Sequence, residues 1–252
     1  MIEVKDVTKR YGGNTVVDDV SLSIPSGGIT SVIGSNGAGK STLLSMISRL
    51  IEPDEGSISV DGLDVSTTPT EELARRLAVL RQDNHTTVRL TVRELVSFGR
   101  FPHSRGRLTT ADHEIIDDAI DYFELSGFAD RPLDTLSGGQ RQRAHVAMVL
   151  CQSTDYVLLD EPLNNLDMRH SVQIMRRLRS MADDYGKTIV MVVHDINFAA
   201  RYSDRIVAMR DGGVVAHGKV CDIMQPAVLR DVFDLDIKVH ELAGRRIGDF
   251  YG

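Results

Sequence analysis

The stretch GSNGAGKS, from Gly34 to Ser41, combines residue types that bind phosphate at a recognised spacing, G-x-x-x-x-G-K-[ST]. Glycines at positions 34, 37 and 39 let backbone N–H groups turn inward on an anion, and the start of the following helix adds partial positive charge. Lys40 is expected to reach the β- and γ-phosphates, and Ser41 to offer a hydroxyl to Mg²⁺. The simpler alternative is a glycine-rich turn that carries a lysine by chance.

A second group of reactive residues follows the apolar run YVLL, where Asp160 and Glu161 end a predicted buried strand. Two adjacent acids at this depth are costly unless a cation or water meets them. Beside a nucleotide, Asp160 is expected to bind the Mg²⁺ shell and Glu161 to orient and polarise the attacking water. The alternative is an acid pair that caps the next helix.

A third group, LSGGQ, places Ser137, Gly138 and Gly139 at the start of a predicted helix. The free N–H groups and the dipole of a helix start suit an anion, so this segment is a second candidate phosphate contact. The alternative is that Ser137 only caps the helix and the glycines only turn the chain.

The elements around these groups have the order that phosphate binding requires. The run ITSVIG predicts a buried strand that stops at Gly34, and KSTLLSMISRL predicts a helix with Leu43, Leu44, Ile47 and Leu50 at helical spacing. IEVKDV and VSLSI alternate apolar with polar residues, which predicts half-buried strands near the N-terminus.

The rest of the chain alternates between strand and helix signals. LAVLRQ predicts a strand that ends at Gln82, and residues from about Thr91 to Cys151 show helical periodicity. YVLLDEP and KTIVMVVHD flank an amphipathic helix, which predicts a β–α–β unit and a parallel sheet. A hairpin is predicted around Asp211, and QPAVLRDVF predicts a short helix. One α/β domain with a helical arm is the expected architecture.

Composition and charge argue against several classes of protein. With 252 residues, 42% of them hydrophobic, the chain has enough material for a buried core. The net charge of −7 argues against binding driven by nucleic-acid phosphates, so no nucleic-acid partner is expected. The two cysteines lie far apart without metal-ligand spacing. No apolar run is long enough for a membrane span, and we expect a cytoplasmic protein that reaches a membrane through a partner.

The LSGGQ segment, downstream of the phosphate loop and just upstream of LLDEP, resembles the signature of ATP-binding cassette (ABC) ATPases, and the resemblance covers essentially the whole chain. It implies an α/β P-loop NTPase fold of the ABC ATPase type, with a mixed sheet core, a β subdomain and a helical arm. It implies one domain over residues 1–252, with a helical subdomain at about 88–152 inserted in the RecA-like core.

The resemblance also implies ATP and Mg²⁺ as cofactors and a homodimer in which the signature loop of one copy closes on the nucleotide of the other. Tyr11 matches the aromatic residue that stacks on adenine, and Gln82 matches the glutamine that links Mg²⁺ and water to the arm. Asp167 matches an acid at the dimer interface, and His194 matches the histidine that contacts the γ-phosphate. The catalytic residues implied are Glu161, His194 and Gln82, and the metal-binding residues are Ser41, Gln82 and Asp160. The nucleotide-binding residues implied are Tyr11, Gly34, Ser35, Asn36, Gly37, Ala38, Gly39, Lys40, Ser41, Thr42, Ser137, Gly138, Gly139, Gln140 and Asp167. LNNLD stands where many relatives have TSALD, a difference that retains Asp167.

Within the family, the pattern T-V-x-E-L-V … G-R-x-P-H after Gln82 resembles the arm of ATPases that drive iron-siderophore, haem and cobalamin importers. The segments DEPLNNLDMRHSVQIM and VVHDINFAARYSDRIVAM resemble the ferric-siderophore branch. This implies an ATPase subunit bound peripherally to the cytoplasmic side of the membrane through polytopic permease subunits, with an extracytoplasmic substrate-binding protein as an indirect partner. The apolar residues expected to line the docking groove are Val92, Leu95, Val96 and Phe98, the alternative being that they pack the core of the arm. The other functions left open are a soluble ATPase of iron–sulfur cluster assembly and a haem or cobalamin importer ATPase.

Overall fold

The computed structural model describes residues 1–82, 88–164 and 166–250. These residues form two units. The first unit consists of Met1–Thr68 and Arg179–Gly252, and the second consists of Pro69–Leu178. The phosphate loop therefore belongs to the first unit, and the Asp160–Glu161 pair and the LSGGQ segment belong to the second.

The first unit contains a four-stranded antiparallel sheet built from the alternating sequences near the N-terminus. Its spatial order is β2-β1-β4-β5, with the strands β1 Ile2–Tyr11, β2 Asn14–Ile24, β4 Glu55–Val60 and β5 Leu63–Asp64. Strand β1 pairs with β2 through a tight turn in which Gly12 and Gly13 have φ angles of 54° and 87°. This sheet is the β subdomain that the resemblance implied.

The phosphate loop follows the central strand of a second sheet in the first unit. Strand β3, Gly28–Gly34, pairs in parallel with β8, Thr188–Val192, and with β9, Arg205–Arg210. Strand β10, Gly213–Lys219, pairs antiparallel with β9. The hairpin predicted around Asp211 is confirmed, since Asp211 and Gly212 have φ angles of 49° and 84°.

The remaining helices of the first unit pack against this sheet. They are α1 Lys40–Ile47, α8 Ile196–Tyr202, α9 Val220–Ile223 and α10 Pro226–Phe233. A final hairpin joins β11, Lys238–Leu242, to β12, Arg245–Asp249. The sequence patterns did not predict this hairpin, because β11 is mostly exposed, β12 is mostly half-buried, and neither strand carries a regular apolar alternation.

Two glycines of the first unit approach one backbone carbonyl, that of Val16 in β2. A Cβ built on Gly39 would lie 2.5 Å from this oxygen, and one built on Gly212 would lie 2.9 Å from it. The N–H of Asp18 also donates to the carbonyl of Gly212 at 3.0 Å. Because Gly39 and Gly212 have no side chains, the backbone of β2 packs closely against the phosphate loop and the β9–β10 hairpin.

The second unit combines two parallel strands with a cluster of helices. Strand β6, Leu77–Leu80, pairs in parallel with β7, Tyr156–Asp160. The predicted end of β6 was wrong by two residues, since Gln82 lies beyond the last paired residue. The helices are α2 Thr70–Ala74, α3 Val92–Ser97, α4 Phe101–Ser104, α5 Thr110–Tyr122 and α6 Gly138–Cys151. Helix α7, Met168–Tyr185, begins in this unit and ends in the first.

Helices α3, α5 and α6 pack against one another and form the core of the helical arm. Val92, Leu95 and Val96 of α3 are at most 3% exposed in this core. The prediction that these three residues line a docking groove is therefore wrong, because the helical periodicity reflects packing within the arm. Phe98, the fourth residue of that set, is 52% exposed.

A buried ion pair fixes α5 within the arm. Arg100 donates through Nε to Asp112 Oδ1 at 2.8 Å, and each side chain is only 8% exposed. Arg100 also donates to the carbonyl of Cys151 at 2.9 Å, which links this pair to the end of α6. The backbone N–H of Thr109, together with Arg100, lowers the pKa of Asp112 from 3.8 to about 2.

Replacing Asp112 with asparagine is expected to destabilise the protein by about 3 kcal/mol near neutral pH, because it leaves the buried Arg100 uncompensated. Since the folded pKa is lowered, the carboxylate stabilises the fold above pH 3.8 and loses this effect as the pH falls through about 2. The difference in urea unfolding free energy between wild type and variant should therefore shrink over this acidic range.

The matched control for this prediction is Asp117→Asn, which removes the exposed α5 partner of Arg93. An exposed pair of this kind contributes less than about 1 kcal/mol. Equal effects of the two substitutions on unfolding would contradict a special role for the buried pair.

Candidate active site

The phosphate loop connects β3 to α1 through backbone geometry that only glycine adopts easily. Gly34, Gly37 and Gly39 have φ angles of 147°, 81° and 91°. A Cβ on Gly34 would lie 2.1 Å from the carbonyl oxygen of Met209, so this position is closed to any side chain. Ser35, Asn36 and Gly37 form the exposed part of the loop, whereas Ala38 and Gly39 are buried.

Lys40 is the first residue of α1, and its side chain is directed back over the loop. It is 5% exposed, and its Nζ donates to the carbonyls of Gly34 at 2.9 Å and Ser35 at 2.7 Å. Ser41 and Thr42 follow in the first turn and are half-buried. No acidic residue lies in this turn, so the partial positive charge of the helix start is not offset there.

Two further predicted site residues of the first unit lie at element ends. Tyr11 ends β1, is 48% exposed, and has the Nζ of Lys9 5.7 Å from its ring centroid. His194 follows β8 and is exposed, and the next residue, Asp195, caps α8 by accepting from the N–H of Asn197 at 2.7 Å.

In the second unit, Glu161 is held by two amide side chains. Gln82 Nε2 donates to Glu161 Oε2 at 2.8 Å, and Asn164 Nδ2 donates to the same oxygen. Two residues that the resemblance implied as catalytic, Gln82 and Glu161, are thus hydrogen-bonded to each other. Asn164 was not predicted, and the only available signal was its position in the LNNLD segment.

Glu161 also adopts an unusual backbone conformation, with a φ angle of 50°. Left-handed geometry costs a non-glycine residue energy and is often found at functional sites. It turns the chain directly after β7, so that half-buried Asp160 and Glu161 both follow the strand end. Gln142 in α6 supports this turn by donating to the carbonyl of Pro162 at 2.9 Å, a contact that the sequence did not indicate.

The LSGGQ segment begins α6 with a capping box. Ser137 Oγ accepts from the N–H of Gln140, and Gln140 Oε1 accepts from the N–H of Ser137 at 3.0 Å. Within this chain, Ser137 therefore acts as the helix cap that was the alternative to a phosphate contact. Ser137 and Gly138 remain exposed, while Gly139 is buried.

Asp167 lies just before α7 and is bound by His170, another residue that the sequence did not single out. Asp167 Oδ1 accepts from the backbone N–H of His170 at 2.8 Å and lies 2.7 Å from His170 Nδ1. The hydrogen bond from the backbone N–H of His170 lowers the pKa of the Asp167 carboxyl.

The residues present fit a magnesium nucleotide. Among the described residues, no group of three or more His, Cys, Asp or Glu side chains is arranged to hold a metal ion. Mg²⁺ in nucleotide sites is bound by one or two protein oxygens together with phosphate oxygens, so a dedicated cage is not required. Ser41 in the first unit offers a hydroxyl oxygen and Asp160 in the second unit offers a carboxylate oxygen, and each is a ligand of the kind that Mg²⁺ binds.

The first unit combines a parallel strand, a glycine-rich loop and a helix that begins with a buried lysine. This combination defines a phosphate-loop nucleotide-binding protein. The ABC transporter family model matches residues 17–164, and the chain belongs to this family. The predicted fold class and the predicted ATPase activity are confirmed, and the chain is an ATP-binding ABC ATPase.

Individual proteins are similar over most or all of the chain. The petrobactin import ATP-binding protein YclP of Bacillus subtilis (strain 168) is 50% identical over 251 residues, which cover 100% of both chains. The petrobactin import ATP-binding protein FatE of Bacillus anthracis is 54% identical over 239 residues, covering 95% of this chain and 96% of its own. The dimeric structure of the ATP-binding cassette MJ0796 in a post-hydrolysis state, bound to ADP and Pi, has a TM-score of 0.78 and 31% identity, and the match covers 87% of this chain and 99% of that one.

Within residues 1–82, 88–164 and 166–250, none of the helices combines the length and the apolar character that crossing a bilayer requires.

Proposed function

We propose that this protein is the ATP-hydrolysing subunit of a ferric siderophore importer, bound to a membrane permease at the cytoplasmic face. The observation that carries this proposal is the 50% identity, along the full length of both chains, to an ATP-binding protein named for petrobactin import. The segments DEPLNNLDMRHSVQIM and VVHDINFAARYSDRIVAM support the same branch, and the arm pattern after Gln82 supports the wider group of siderophore, haem and cobalamin importers.

The phosphate loop supplies the binding half of the proposed mechanism. Backbone N–H groups from Gly34 to Thr42 bind the phosphate oxygens, and Lys40 moves its Nζ from the loop carbonyls to the β- and γ-phosphates. Tyr11 stacks on the adenine, and His194 contacts the γ-phosphate. Bound Mg²⁺ would neutralise charge on the phosphate oxygens, and Ser41, Gln82 and Asp160 are the residues that would hold it.

Glu161 is the proposed general base. Its carboxylate accepts the proton of the attacking water, while the amides of Gln82 and Asn164 fix the orientation of the carboxylate group. Gln82 is followed in sequence by residues 83–87, which lie outside the described residues, and then by the arm. A change at Glu161 is therefore proposed to be transmitted to the arm through Gln82.

The LSGGQ segment is proposed to act on the nucleotide of a second copy. Ser137 and Gly138 are exposed, and the capping box engages the N–H groups of Ser137 and Gln140, so the N–H groups of Gly138 and Gly139 are the ones proposed to meet an external phosphate. Gln140 maintains the first turn through the capping box, and Asp167 contributes at the same interface. The dimeric state of the related cassette bound to ADP and Pi supports this homodimer.

Two aromatic residues of the arm are proposed to contact the permease. Phe98 and Phe101 are 52% and 59% exposed. Large exposed aromatic residues close together in sequence are typical of protein interfaces. They replace the buried α3 residues as candidates for docking.

Changing both Phe98 and Phe101 to serine is expected to reduce recovery of a polytopic permease with the tagged protein by about tenfold or more, because the apolar contact is lost. The measurement is affinity purification from mildly solubilised membranes, with mass spectrometry of the associated proteins. ATP hydrolysis by the isolated variant should stay near that of wild type. Leu242→Ser, which changes a residue 66% exposed in the first unit, is the control.

The outcome of this purification separates the proposal from its alternatives. A permease whose loss abolishes uptake of a ferric siderophore supports the proposal. If loss of the permease instead abolishes uptake of haem or cobalamin, the chain is the ATPase subunit of a related importer. Association with iron–sulfur assembly proteins, without any permease, would contradict the transport role.

A further inference from the structure

One imidazole, that of His170, contacts two segments of the proposed dimer interface. Its Nδ1 lies 2.7 Å from Asp167 Oδ1, and its ring lies directly against the first turn of α6. A Cβ built on Gly139 would lie 2.7 Å from both Cγ and Cδ2 of this ring and 3.1 Å from Nε2. The absence of a side chain at Gly139 therefore makes room for the histidine.

The hydrogen bond to Asp167 determines the direction in which His170 is held. The backbone N–H of His170 lowers the pKa of Asp167, so this carboxylate is ionised near neutral pH and can only accept. Nδ1 must then carry the proton and donate the hydrogen bond to Asp167 Oδ1. Because Asp167 Oδ1 also accepts from the backbone N–H of His170, the carboxylate and the ring are fixed together at the start of α7.

We infer that His170 is a positioning residue that sets the carboxylate of Asp167 and the LSGGQ turn at a fixed distance from each other. One face of the contact is a charge-assisted hydrogen bond, and the other is van der Waals contact with Gly139. The His170 side chain is 30% exposed, and these two contacts hold its ring in place.

This inference rests on the proposed function, in which Ser137, Gly138, Gly139 and Asp167 meet the nucleotide and phosphate loop of a second copy. Both segments must then present their groups at the same time to one partner. If they move independently, each dimer loses the benefit of preorganisation, although the phosphate loop in the first unit still binds ATP.

The test uses three substitutions of His170 in the hydrolysis-deficient Glu161→Gln protein. His170→Asn retains an amide nitrogen at the position of Nδ1 but removes the ring from Gly139. His170→Phe retains a ring but removes the donor to Asp167. His170→Ala removes both, and His113→Ala, at an exposed histidine of α5, is the control.

The quantities measured are the dissociation constant of the ATP-dependent dimer, by analytical ultracentrifugation, and the ATP affinity of the monomer. The asparagine and phenylalanine variants should each weaken the dimer about tenfold, and the alanine variant about a hundredfold, because a symmetric dimer contains every contact twice. ATP affinity of the monomer and its thermal midpoint should stay near those of the parent.

Each other outcome overturns a defined claim. If the alanine variant dimerises as tightly as the parent, His170 has no positioning role. If either the asparagine or the phenylalanine variant alone restores the parent value, one contact is sufficient and the two-sided brace is wrong. If the parent binds ATP but never dimerises, the proposed ATP-dependent homodimer fails, and this inference fails with it.

Discussion

Substituting Glu161 with glutamine is expected to lower the rate of ATP hydrolysis by roughly 100- to 10,000-fold, which is the range that a general base contributes. A glutamine carbonyl at this position can still accept from both Gln82 and Asn164, so the local geometry survives while the proton acceptor is lost. ATP affinity should therefore change little. The measurement is steady-state phosphate release together with equilibrium nucleotide binding.

The control for this substitution is Glu72→Gln, which alters an exposed glutamate of α2 in the same unit. It should leave hydrolysis unchanged. The Glu161→Gln protein should also accumulate as an ATP-bound dimer. Hydrolysis near the wild-type rate in this variant would remove Glu161 from the role of base.

Replacing Lys40 with alanine is expected to weaken ATP binding about a hundredfold, because a charge-assisted contact to phosphate is removed. Lys40 is 5% exposed and donates to two loop carbonyls, so truncation also disturbs the loop. Isothermal titration with ATP measures the first effect, and the unfolding midpoint measures the second.

A second variant separates binding from loop stability. Lys40→Met retains the length of the buried stem without the charge, and it should lose ATP affinity to the same extent while remaining closer to wild type in stability. Lys5→Ala, at an exposed lysine of β1, is the control. Micromolar ATP binding retained by both Lys40 variants would contradict the role of the phosphate loop.

The order of elements around the phosphate loop was predictable because local sequence dictates it. Gly34, Gly37 and Gly39 permit positive φ angles, and the apolar spacing of Leu43 and Ile47 selects a helix. The β9–β10 hairpin was predictable for the same reason, since Asp211 and Gly212 suit its turn. Such features depend on residues that are neighbours in the chain.

Other features depend on partners that lie far away in sequence. Apolar periodicity shows that α3 has a buried face, but it does not say whether that face meets α6 or another protein, and the prediction for Val92, Leu95 and Val96 failed on this point. The contact between Gly139 and His170 joins residues 31 positions apart, and neither residue type signals it alone. Long-range complementarity of this kind appears only when the chain is folded.

The carbonyl of Val16 has a consequence for how this molecule responds to mutagenesis. Every amino acid supplies the same oxygen at position 16, so a substitution there leaves this backbone contact in place. The contact is sensitive instead to substitution of Gly39 and Gly212, where an added Cβ would lie 2.5 Å and 2.9 Å from that oxygen. A mutational scan of this protein would thus reveal the importance of the Val16 carbonyl through the intolerance of these two glycines, whereas a substitution of Val16 itself tests only its half-buried side chain.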